Sequence, residues 1–444
     1  MQAPPSDAST DLTDYSLRPI LMDAAVAHRG RQAVYEEDGT VVCRHPALDR
    51  YGRGPEMRIP PERQYPAVRS TFDDLNKALS RLSNSPLIDG KHTLRHLYEA
   101  EAGRYDALAA QAHDAGQWEP DYGTYVLDHC RGDLYLVAPE RWHRLALVAG
   151  NAMLLTDPEL RLSWQEVRRR LENAVVGFAG ASVGSNICEG WLREARPRQV
   201  KVADPDWIEV TNLNRGERMG LRHVVASRAA RFEPRSPYDT PRVPKAEFLA
   251  YEQQLVDPYV TFHVYREGLS RANLERFICG DGRGEPRLDV LVEEMDNFEL
   301  KLLVREECRK HGVDVLMLSD FGHRVDLLWN FFHADPHSPI GVGASDEALR
   351  RTVEAAKAGD RKKNIEFIAG LCGDDFASDQ FKAWVDGTGE QPTGSLPQSG
   401  ATAMASGAIG GKELALHFLG HHAGGPRRTV YDLLNRRVSS NGDR

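Results

Sequence analysis

The stretch that decides the fold runs from Ala174 to Asn186 and reads AVVGFAGASVGSN. Its first five residues are apolar or glycine, a pattern that predicts a short strand buried on both faces. A glycine-rich turn follows between Gly180 and Gly184, and the residues after it predict a helix. Backbone N–H groups at such a turn approach a phosphate closely, and the helix N-terminus favours negative charge. The stretch therefore predicts a phosphate-binding turn.

Asp204 supports this interpretation because it lies twenty positions after Gly184, at the end of a second predicted strand, 199–203. Its carboxylate could accept hydrogen bonds from ribose hydroxyls. The strict G-x-G-x-x-G pattern is absent, since Ala179 and Ala181 occupy its first two glycine positions. Taken alone, the turn also fits an ordinary tight strand-to-helix connection or a nicotinamide-dependent oxidoreductase.

Strands and helices alternate along the rest of this region, which favours an α/β fold with a Rossmann-like, mostly parallel sheet covered by helices on both faces. A capping box at 163–166 predicts the start of a helix, and a helix of small residues at 401–418 is expected to pack closely against another element. Further strands are predicted at 260–264, 288–292 and 313–318, and further helices at 245–255, 271–278 and 297–311.

The sequence divides into three parts with different character. Residues 1–157 predict a smaller α+β domain of unknown role, with a helix at 94–112 and apolar segments at 133–137 and 144–155. Residues 158–425 hold the predicted α/β domain, and residues 426–444 are expected to be a C-terminal tail. The proline-rich stretch 227–244 and the stretch 387–400 are predicted to be loops.

A longer motif follows the second strand: residues 203–215 read ADPDWIEVTNLNR. This segment resembles the D-x-D-x-V-E-x-S-N-L-N-R signature of the ThiF/MoeB/ubiquitin-activating-enzyme superfamily. Further matches follow in the same order, and together they cover about residues 163–420. The turn itself looks like a variant found in some bacterial ThiF-like proteins. The further matching segments are PKAE (244–247), DPYV (257–260), DVLVEEMDN (289–297) and LPQSG (396–400).

The resemblance implies a site for ATP and Mg²⁺ in which a carboxylate is adenylated. Arg215 and Lys245 match the pair that contacts the phosphates, where positive charge stabilises the departing pyrophosphate. Asp296 matches the Mg²⁺-coordinating aspartate, and oxygen ligands suit that ion. The remaining residues implied for the nucleotide site are Gly180, Ser182, Gly184, Ser185, Asp204, Asp206, Asn212 and Asn214.

Each of these residues also has a simpler interpretation. Arg215 or Lys245 alone would more often be a solvated surface charge, and Asp296 alone could cap a helix. Asp206 and Asn214 could simply stabilise their loop. The functional interpretation is favoured because residue types, order and spacing agree along the chain.

The resemblance implies an ATP-dependent adenylyltransferase, with the C-terminus of a ubiquitin-like protein, a sulfur-carrier protein or a peptide as the carboxylate. It also implies a homodimer. Two alternatives stay open: an ATP-dependent dehydratase or cyclase acting on tRNA or a small molecule, and a non-catalytic partner subunit of an activating enzyme. The site residues argue against the last, because a non-catalytic subunit would not need them.

Composition narrows the remaining classes. The 444 residues contain 56 Lys and Arg against 65 Asp and Glu, a net charge of −9 that argues against a bulk nucleic-acid or anionic-membrane binder. No stretch approaches the roughly 18 apolar residues of a membrane span. The six cysteines are scattered and form no C-x-x-C pair, which predicts a reduced, cytoplasmic protein without a paired-cysteine zinc site.

Two further features of the sequence are weaker indications of function. Cys372 lies beyond the predicted sheet, where a thioester role is conceivable but an inert buried thiol is favoured. His333, Asp335 and His337 have a metal-like spacing, but Pro336 favours a plain loop.

Overall fold

A computed structural model describes residues 17–50, 53–80, 93–115, 120–149, 162–224, 243–357, 362–377, 382, 399–421 and 427–440. Most of both predicted loops, and the predicted domain boundaries near 157 and 425, lie outside the described residues. The described residues form two compact units. The N-terminal unit contains the described residues up to Arg169 together with Ala250–Val260, and the C-terminal unit contains the others.

The N-terminal unit is α+β, as the sequence predicts. A four-stranded sheet has the order β1-β6-β7-β5, and β2, β3 and β4 form a small antiparallel sheet. The strands are β1 (Ile20–Asp23), β2 (Ala33–Tyr35), β3 (Val41–Cys43), β4 (Met57–Ile59), β5 (Gln64–Pro66), β6 (Thr124–Asp128) and β7 (Asp133–Val137). The helices are α1 (Ala24–Arg29), α2 (Pro46–Arg50), α3 (Val68–Ser80), α4 (Leu94–Asp114) and α5 (Glu140–Ala149).

The core of this unit is rich in aromatic side chains. Phe72 is buried among Tyr98, Tyr105, Tyr122 and Trp142, with ring centroids 5.6–6.2 Å apart. Aromatic pairs at such distances stabilise a core beyond the area they bury. The small unit therefore obtains much of its core from a few large rings.

The segment Ala250–Val260 joins the N-terminal unit through ion pairs. Arg131 contacts Glu252 at 2.7 Å, and the buried Arg144 lies 3.3 Å from the buried Asp257. Asp257 is the first residue of the segment 257–260, which resembles one of the superfamily motifs. Breaking such a buried pair leaves an uncompensated charge, so the segment is held firmly.

The C-terminal unit contains an eight-stranded sheet of order β10-β9-β8-β11-β12-β13-β14-β15. The first five strands pair in parallel and the last three extend the sheet antiparallel. This is a mixed α/β sheet. The strands are β8 (Val176–Ala179), β9 (Gln199–Ala203), β10 (Thr261–Tyr265), β11 (Val290–Glu293), β12 (Asp314–Phe321), β13 (Arg324–Asn330), β14 (Arg428–Asp432) and β15 (Arg437–Ser440).

The prediction that residues 426–444 are a C-terminal tail is wrong for much of this segment, because strands β14 and β15 lie within it. Arg428 explains why β14 is fixed: its guanidinium binds both carboxylate oxygens of the buried Asp326 on β13, at 2.5–3.1 Å. Bidentate pairs of this kind are strong and geometrically specific. The partner lies about a hundred positions earlier in the chain, so the local sequence gives no sign of it.

The helices follow the predicted alternation. Ser163 accepts the N–H of Glu166 at 3.2 Å, which confirms half of the predicted capping box. The helices are α6 (Trp164–Asn173), α7 (Val183–Ala195), α8 (Leu221–Val224), α9 (Lys245–Gln254), α10 (Leu274–Cys279), α11 (Phe298–His311), α12 (Asp346–Lys357), α13 (Lys362–Cys372) and α14 (Gly400–Leu419).

The helix of small residues, α14, packs closely against α7 as predicted. A Cβ on Gly407 would lie 2.6 Å from the Cβ of Asn186, and one on Gly411 would lie 2.3 Å from the backbone of Gly190. Only glycine permits this approach. The contact fixes α7, the helix that begins at the glycine-rich turn.

In the part of the chain that the structure describes, no helix combines the length and apolar character that crossing a bilayer requires.

Candidate functional site

The glycine-rich turn connects β8 to α7 and is tightly constrained. Gly180 has φ +103°, and a Cβ at this position would lie 2.6 Å from the carbonyl oxygen of Glu294. Its N–H donates to the carbonyl of Ala203 at 2.8 Å, which ties the turn to β9. The hydroxyl of Ser185 donates to the carbonyl of Ser182 at 2.7 Å. The turn is therefore fixed by its own backbone before any ligand binds.

Asp204 holds this turn from the neighbouring strand. Its carboxylate accepts the N–H of Ala181 at 2.6 Å and the N–H of Asp206 at 2.8 Å. Burial raises the pKa of Asp204, while the charge of Lys245 and the two hydrogen bonds oppose that increase. Asp204, which the sequence predicts to bind the ribose, therefore already stabilises the turn. It does not line the cavity beside the turn.

A cavity of about 550 Å³ lies beside the turn. Because β8, β9 and β11 are parallel, the residues that follow them meet at one edge of the sheet. The cavity wall includes six of the predicted residues: Ser182, Asp206, Asn212, Arg215, Lys245 and Asp296. The others, Gly180, Gly184, Ser185, Asp204 and Asn214, belong to the adjoining turn and loops but not to the wall.

The two predicted cations are both held in place. The Nε of Arg215 donates to the hydroxyl of Ser182 at 3.1 Å, and one terminal nitrogen donates to the carbonyl of Thr211 at 2.9 Å. Lys245 donates to Asp206 at 3.0 Å. The lysine side chain is 8 % exposed, whereas that of Asp206 is 67 % exposed. Positive charge is therefore fixed at the wall, and its countercharge is open to solvent.

The loop that presents Arg215 is organised by asparagines. Glu209 is the N-cap of the short 3-10 turn Val210–Asn214, and Asn212 accepts its N–H at 2.8 Å as the reciprocal bond of a capping box. Asn186, which the site prediction did not include, donates its side-chain N–H to the carbonyl of Arg215 at 2.7 Å. These contacts orient the arginine from both sides of its backbone.

Asp296 lies between β11 and α11, where it is exposed and borders the cavity. The cap of α11 is Asn297, whose side chain accepts the N–H of Leu300 at 3.0 Å, so Asp296 does not cap this helix. Among the described residues, no three His, Cys, Asp or Glu side chains are grouped closely enough to hold a metal ion. A single carboxylate still suits Mg²⁺, which is often held by one or two carboxylates plus phosphates.

Three charged residues beneath the cavity were missed by sequence reasoning. Glu293 is fully buried and accepts hydrogen bonds from Lys301 at 3.0 Å and from Arg305 at 2.6 Å. Burial would raise the pKa of Glu293, but Lys301 and Arg305 outweigh it and hold the pKa below its ordinary value. Lys301 and Arg305 lie four positions apart on α11 and therefore share the helix face that meets Glu293.

Glu294 is a further residue that sequence reasoning missed. Its carboxyl accepts the N–H of Leu318 at 2.7 Å, and it borders the cavity next to the turn. Burial raises its pKa well above the ordinary value. The carboxylates of Asp206, Glu209, Asp296 and Asp320 also border the cavity.

A cluster of apolar residues from three elements borders the cavity, and Lys301, Ser319 and Asp320 border it from two of the same elements. We call the apolar cluster the apolar wall; it comprises Phe298, Met317, Phe321, Phe367, Ile368 and Leu371. Cys372 borders the same region with its side chain buried. Burial raises the pKa of the Cys372 thiol well above its ordinary value, so the group stays a thiol at neutral pH.

The histidine motif lies in a turn after β13, as its proline indicates. Asp335 accepts the N–H of His337 at 3.0 Å, and His333 donates its N–H to Asp314 at 2.7 Å. The motif is thus held by ordinary loop hydrogen bonds.

The comparisons with known proteins give distant similarities. No protein-family model matches the chain. The uncharacterized protein MT1398 of Mycobacterium tuberculosis (strain CDC 1551 / Oshkosh) is 27 % identical over 206 residues, which are 46 % of this chain and 25 % of that protein. The match therefore spans a quarter of the relative's length.

Two solved structures are among the distant matches. PaaA superposes with a TM-score of 0.41 and 11 % identity, over 67 % of this chain and 81 % of PaaA. E. coli MccB, solved with ATP, superposes with a TM-score of 0.42 and 13 % identity, over 66 % of this chain and 71 % of MccB.

Proposed function

We propose that the C-terminal unit is an ATP-dependent adenylyltransferase, which joins a carboxylate to AMP and releases pyrophosphate. The observation that carries the proposal is the meeting of Arg215 and Lys245 at one cavity beside the glycine-rich turn. The two residues are thirty positions apart in the sequence. The sequence resemblance to the ThiF/MoeB/ubiquitin-activating-enzyme superfamily supports the same activity.

The charges suit the reaction. Adenylation moves negative charge onto the departing pyrophosphate, and fixed cations stabilise that charge without having to reorganise. Arg215 is oriented by Ser182 and Thr211, and Lys245 is oriented by Asp206. A phosphate that approaches Lys245 would compete with the exposed carboxylate of Asp206, while the buried Asp204 also interacts with the lysine charge.

The donor set also fits Mg²⁺ and ATP. Asp296 would hold the ion, Arg215 and Lys245 would contact the phosphates, and the N–H groups of the turn would approach them. Bound Mg²⁺–ATP supplies the electrophilic phosphorus and shields its charge. The chain needs no general base, because a substrate carboxylate is already ionised at neutral pH. Its task is to orient that carboxylate and to exclude water.

For the substrate, we propose the C-terminal carboxylate of a peptide or of a small carrier protein. A protein terminus can reach the cavity as a narrow extended chain, whereas the folded part of the carrier stays outside.

Thermal unfolding with added nucleotides tests the proposal. Mg²⁺–ATP at one hundred times its Kd should stabilise the protein by about 2.7 kcal/mol, whereas NAD should not stabilise it. Asp296→Asn should weaken the effect of Mg²⁺–ATP. Stabilisation by NAD and none by ATP would contradict the proposal and favour an oxidoreductase.

A further inference from the structure

The apolar wall has no role in the proposed contacts with ATP and Mg²⁺. Leu371 lies three positions after Ile368 and four after Phe367 on α13, so it shares a helix face with each of them. Met317 and Phe321 lie four positions apart on β12 and therefore point to the same side of the strand. Two elements that are distant in the sequence thus present apolar side chains to one cavity.

This wall is formed before any ligand binds. The exposed fractions are 1 % for Met317, 1 % for Phe367, 2 % for Leu371, 7 % for Ile368 and 8 % for Phe321. Phe298 is half-buried, and its ring centroid lies 5.1 Å from that of Phe367. Met317, Phe367 and Leu371 are almost fully covered and support the wall, so the surface that a ligand could contact comes from Phe298, Phe321 and Ile368. Apolar surface inside a cavity is typical of sites that bind an apolar group.

The strand order decides which part of a bound complex the wall would meet. The turn follows β8, Asp204 follows β9 on one side of it, and Asp296 follows β11 on the other side. Strand β12, which carries Met317 and Phe321, lies beyond β11. A nucleotide with its ribose towards β9 and its phosphates at the turn leaves the β12 side of the cavity for the second substrate.

We propose that the apolar wall binds the side chain next to the reacting carboxylate, so that the substrate is a carboxylic acid with a large aliphatic or aromatic side chain. This inference rests on the proposed adenylation. A terminal glycine has no side chain with which to cover the wall, whereas leucine or phenylalanine would displace water from it. The expected discrimination is about 10-fold to 200-fold, the range that apolar pockets achieve between larger and smaller side chains.

The experiment measures ATP–pyrophosphate exchange with three probes: N-acetyl-L-phenylalanine, N-acetyl-L-leucine and N-acetylglycine. The affinity for Mg²⁺–ATP is measured separately by calorimetry. The test variant is Ile368→Phe, which narrows the space in front of the wall. The control variant is Ile365→Phe, one turn earlier on α13, because Ile365 borders a separate cavity of about 310 Å³. Leu371→Ala, which widens the space, keeps the test valid if Ile368→Phe does not fold.

The expected results concern both rate and affinity. The wild-type protein should catalyse exchange at least tenfold faster with the phenylalanine or leucine probe than with N-acetylglycine. Ile368→Phe should reduce that preference about tenfold, and Leu371→Ala should shift it towards the larger probe. The Kd for Mg²⁺–ATP should stay within twofold in all variants, and Ile365→Phe should behave as the wild type.

Three results would overturn the inference. Equal exchange with all three probes, or none with any of them while ATP binds, would exclude the proposed substrate class. A tenfold loss of ATP affinity in Ile368→Phe, without a change of preference, would assign the wall to the adenine base. Failure of the wild-type protein to bind Mg²⁺–ATP is seen before any probe is added, so it identifies failure of the proposed function itself.

Discussion

The two ends of the cavity differ in how the chain builds them. At the polar end, Arg215 and Lys245 stand in short motifs near the ends of parallel strands, and each cation is oriented by a side chain such as Ser182 or Asp206. The apolar wall is assembled from a strand and helices that are far apart in the sequence and carry no motif. We propose that the polar end carries the chemistry and that the apolar wall selects the substrate.

The largest expected effect concerns the buried ion cluster of Glu293, Lys301 and Arg305 next to the cavity. Glu293→Gln should lower the free energy of unfolding by about 3–5 kcal/mol, because it leaves Lys301 and Arg305 without their buried countercharge. Chemical denaturation measures this loss. Glu299→Gln is the matched control: it lies on α11 and pairs with the exposed Arg271, so it should cost at most about 1 kcal/mol.

The same variant gives a pH dependence. The folded-state pKa of Glu293 is lowered, so its ionisation contributes stability above the unfolded-state pKa, and the contribution is lost as the pH falls through the folded-state value. The wild-type protein should therefore lose stability on acidification below about pH 4.5 more steeply than Glu293→Gln. Parallel curves would show that this ion cluster does not contribute to acid sensitivity.

The next effect separates the two ends. Arg215→Ala should reduce the rate of ATP–pyrophosphate exchange by about 10²–10³, because a preorganised charge at the departing phosphates is lost. Thermal stability should change little. Arg218→Ala is the matched control, since Arg218 follows in the same loop but pairs with Glu189 and does not line the cavity. Equal losses in both variants would argue against a special role of Arg215.

A smaller effect tests the turn. Gly180→Ala should lower the free energy of unfolding by about 1–3 kcal/mol, because alanine disfavours φ +103° and its Cβ would meet the carbonyl of Glu294. Gly184→Ala should be neutral or slightly stabilising, since its Cβ would find only ordinary contacts at 3.7 Å within helix α7. If both variants have the same stability, the turn is not constrained as described.

The smallest effect concerns the thiol beside the apolar wall. Cys372 should react with iodoacetamide at pH 7.5 at least about tenfold more slowly than a free cysteine, because burial raises its pKa and blocks access. Peptide mapping after labelling measures this rate. Cys279, which is partly exposed, provides the internal comparison. Rapid labelling of Cys372 would instead indicate a reactive thiolate suited to thioester chemistry.

The sequence predicted those parts of the molecule that depend on neighbouring residues. The alternation of strands and helices, the turn at Gly180 and the packing of α14 all follow from local patterns, and the structure contains them. Six predicted site residues meet at one cavity because strand ends in a parallel sheet converge. Their roles in binding ATP and Mg²⁺ stay predictions.

Features that depend on distant pairs could not be predicted. Strand β14 is held by the ion pair between Arg428 and Asp326 on β13, and β15 pairs with β14. No short motif in the sequence predicts this ion pair. The apolar wall looks in the sequence like ordinary core, since the side chains of Met317 and Phe367 are buried and apolar like their neighbours. Asp204 illustrates a third limit: the motif gives its position, but only the structure reveals that its carboxylate fastens the turn.

The central claim is that Arg215 and Lys245 form a triphosphate site, and direct titration of Mg²⁺–ATP tests it most simply. Calorimetry should show one site in the wild-type protein and in Arg218→Ala. The affinity should be at least tenfold lower in Arg215→Ala and in Lys245→Ala, since each loses a charge-assisted contact worth about 1.5–3 kcal/mol. Unchanged ATP affinity in both variants, or no binding by the wild-type protein, would contradict the account.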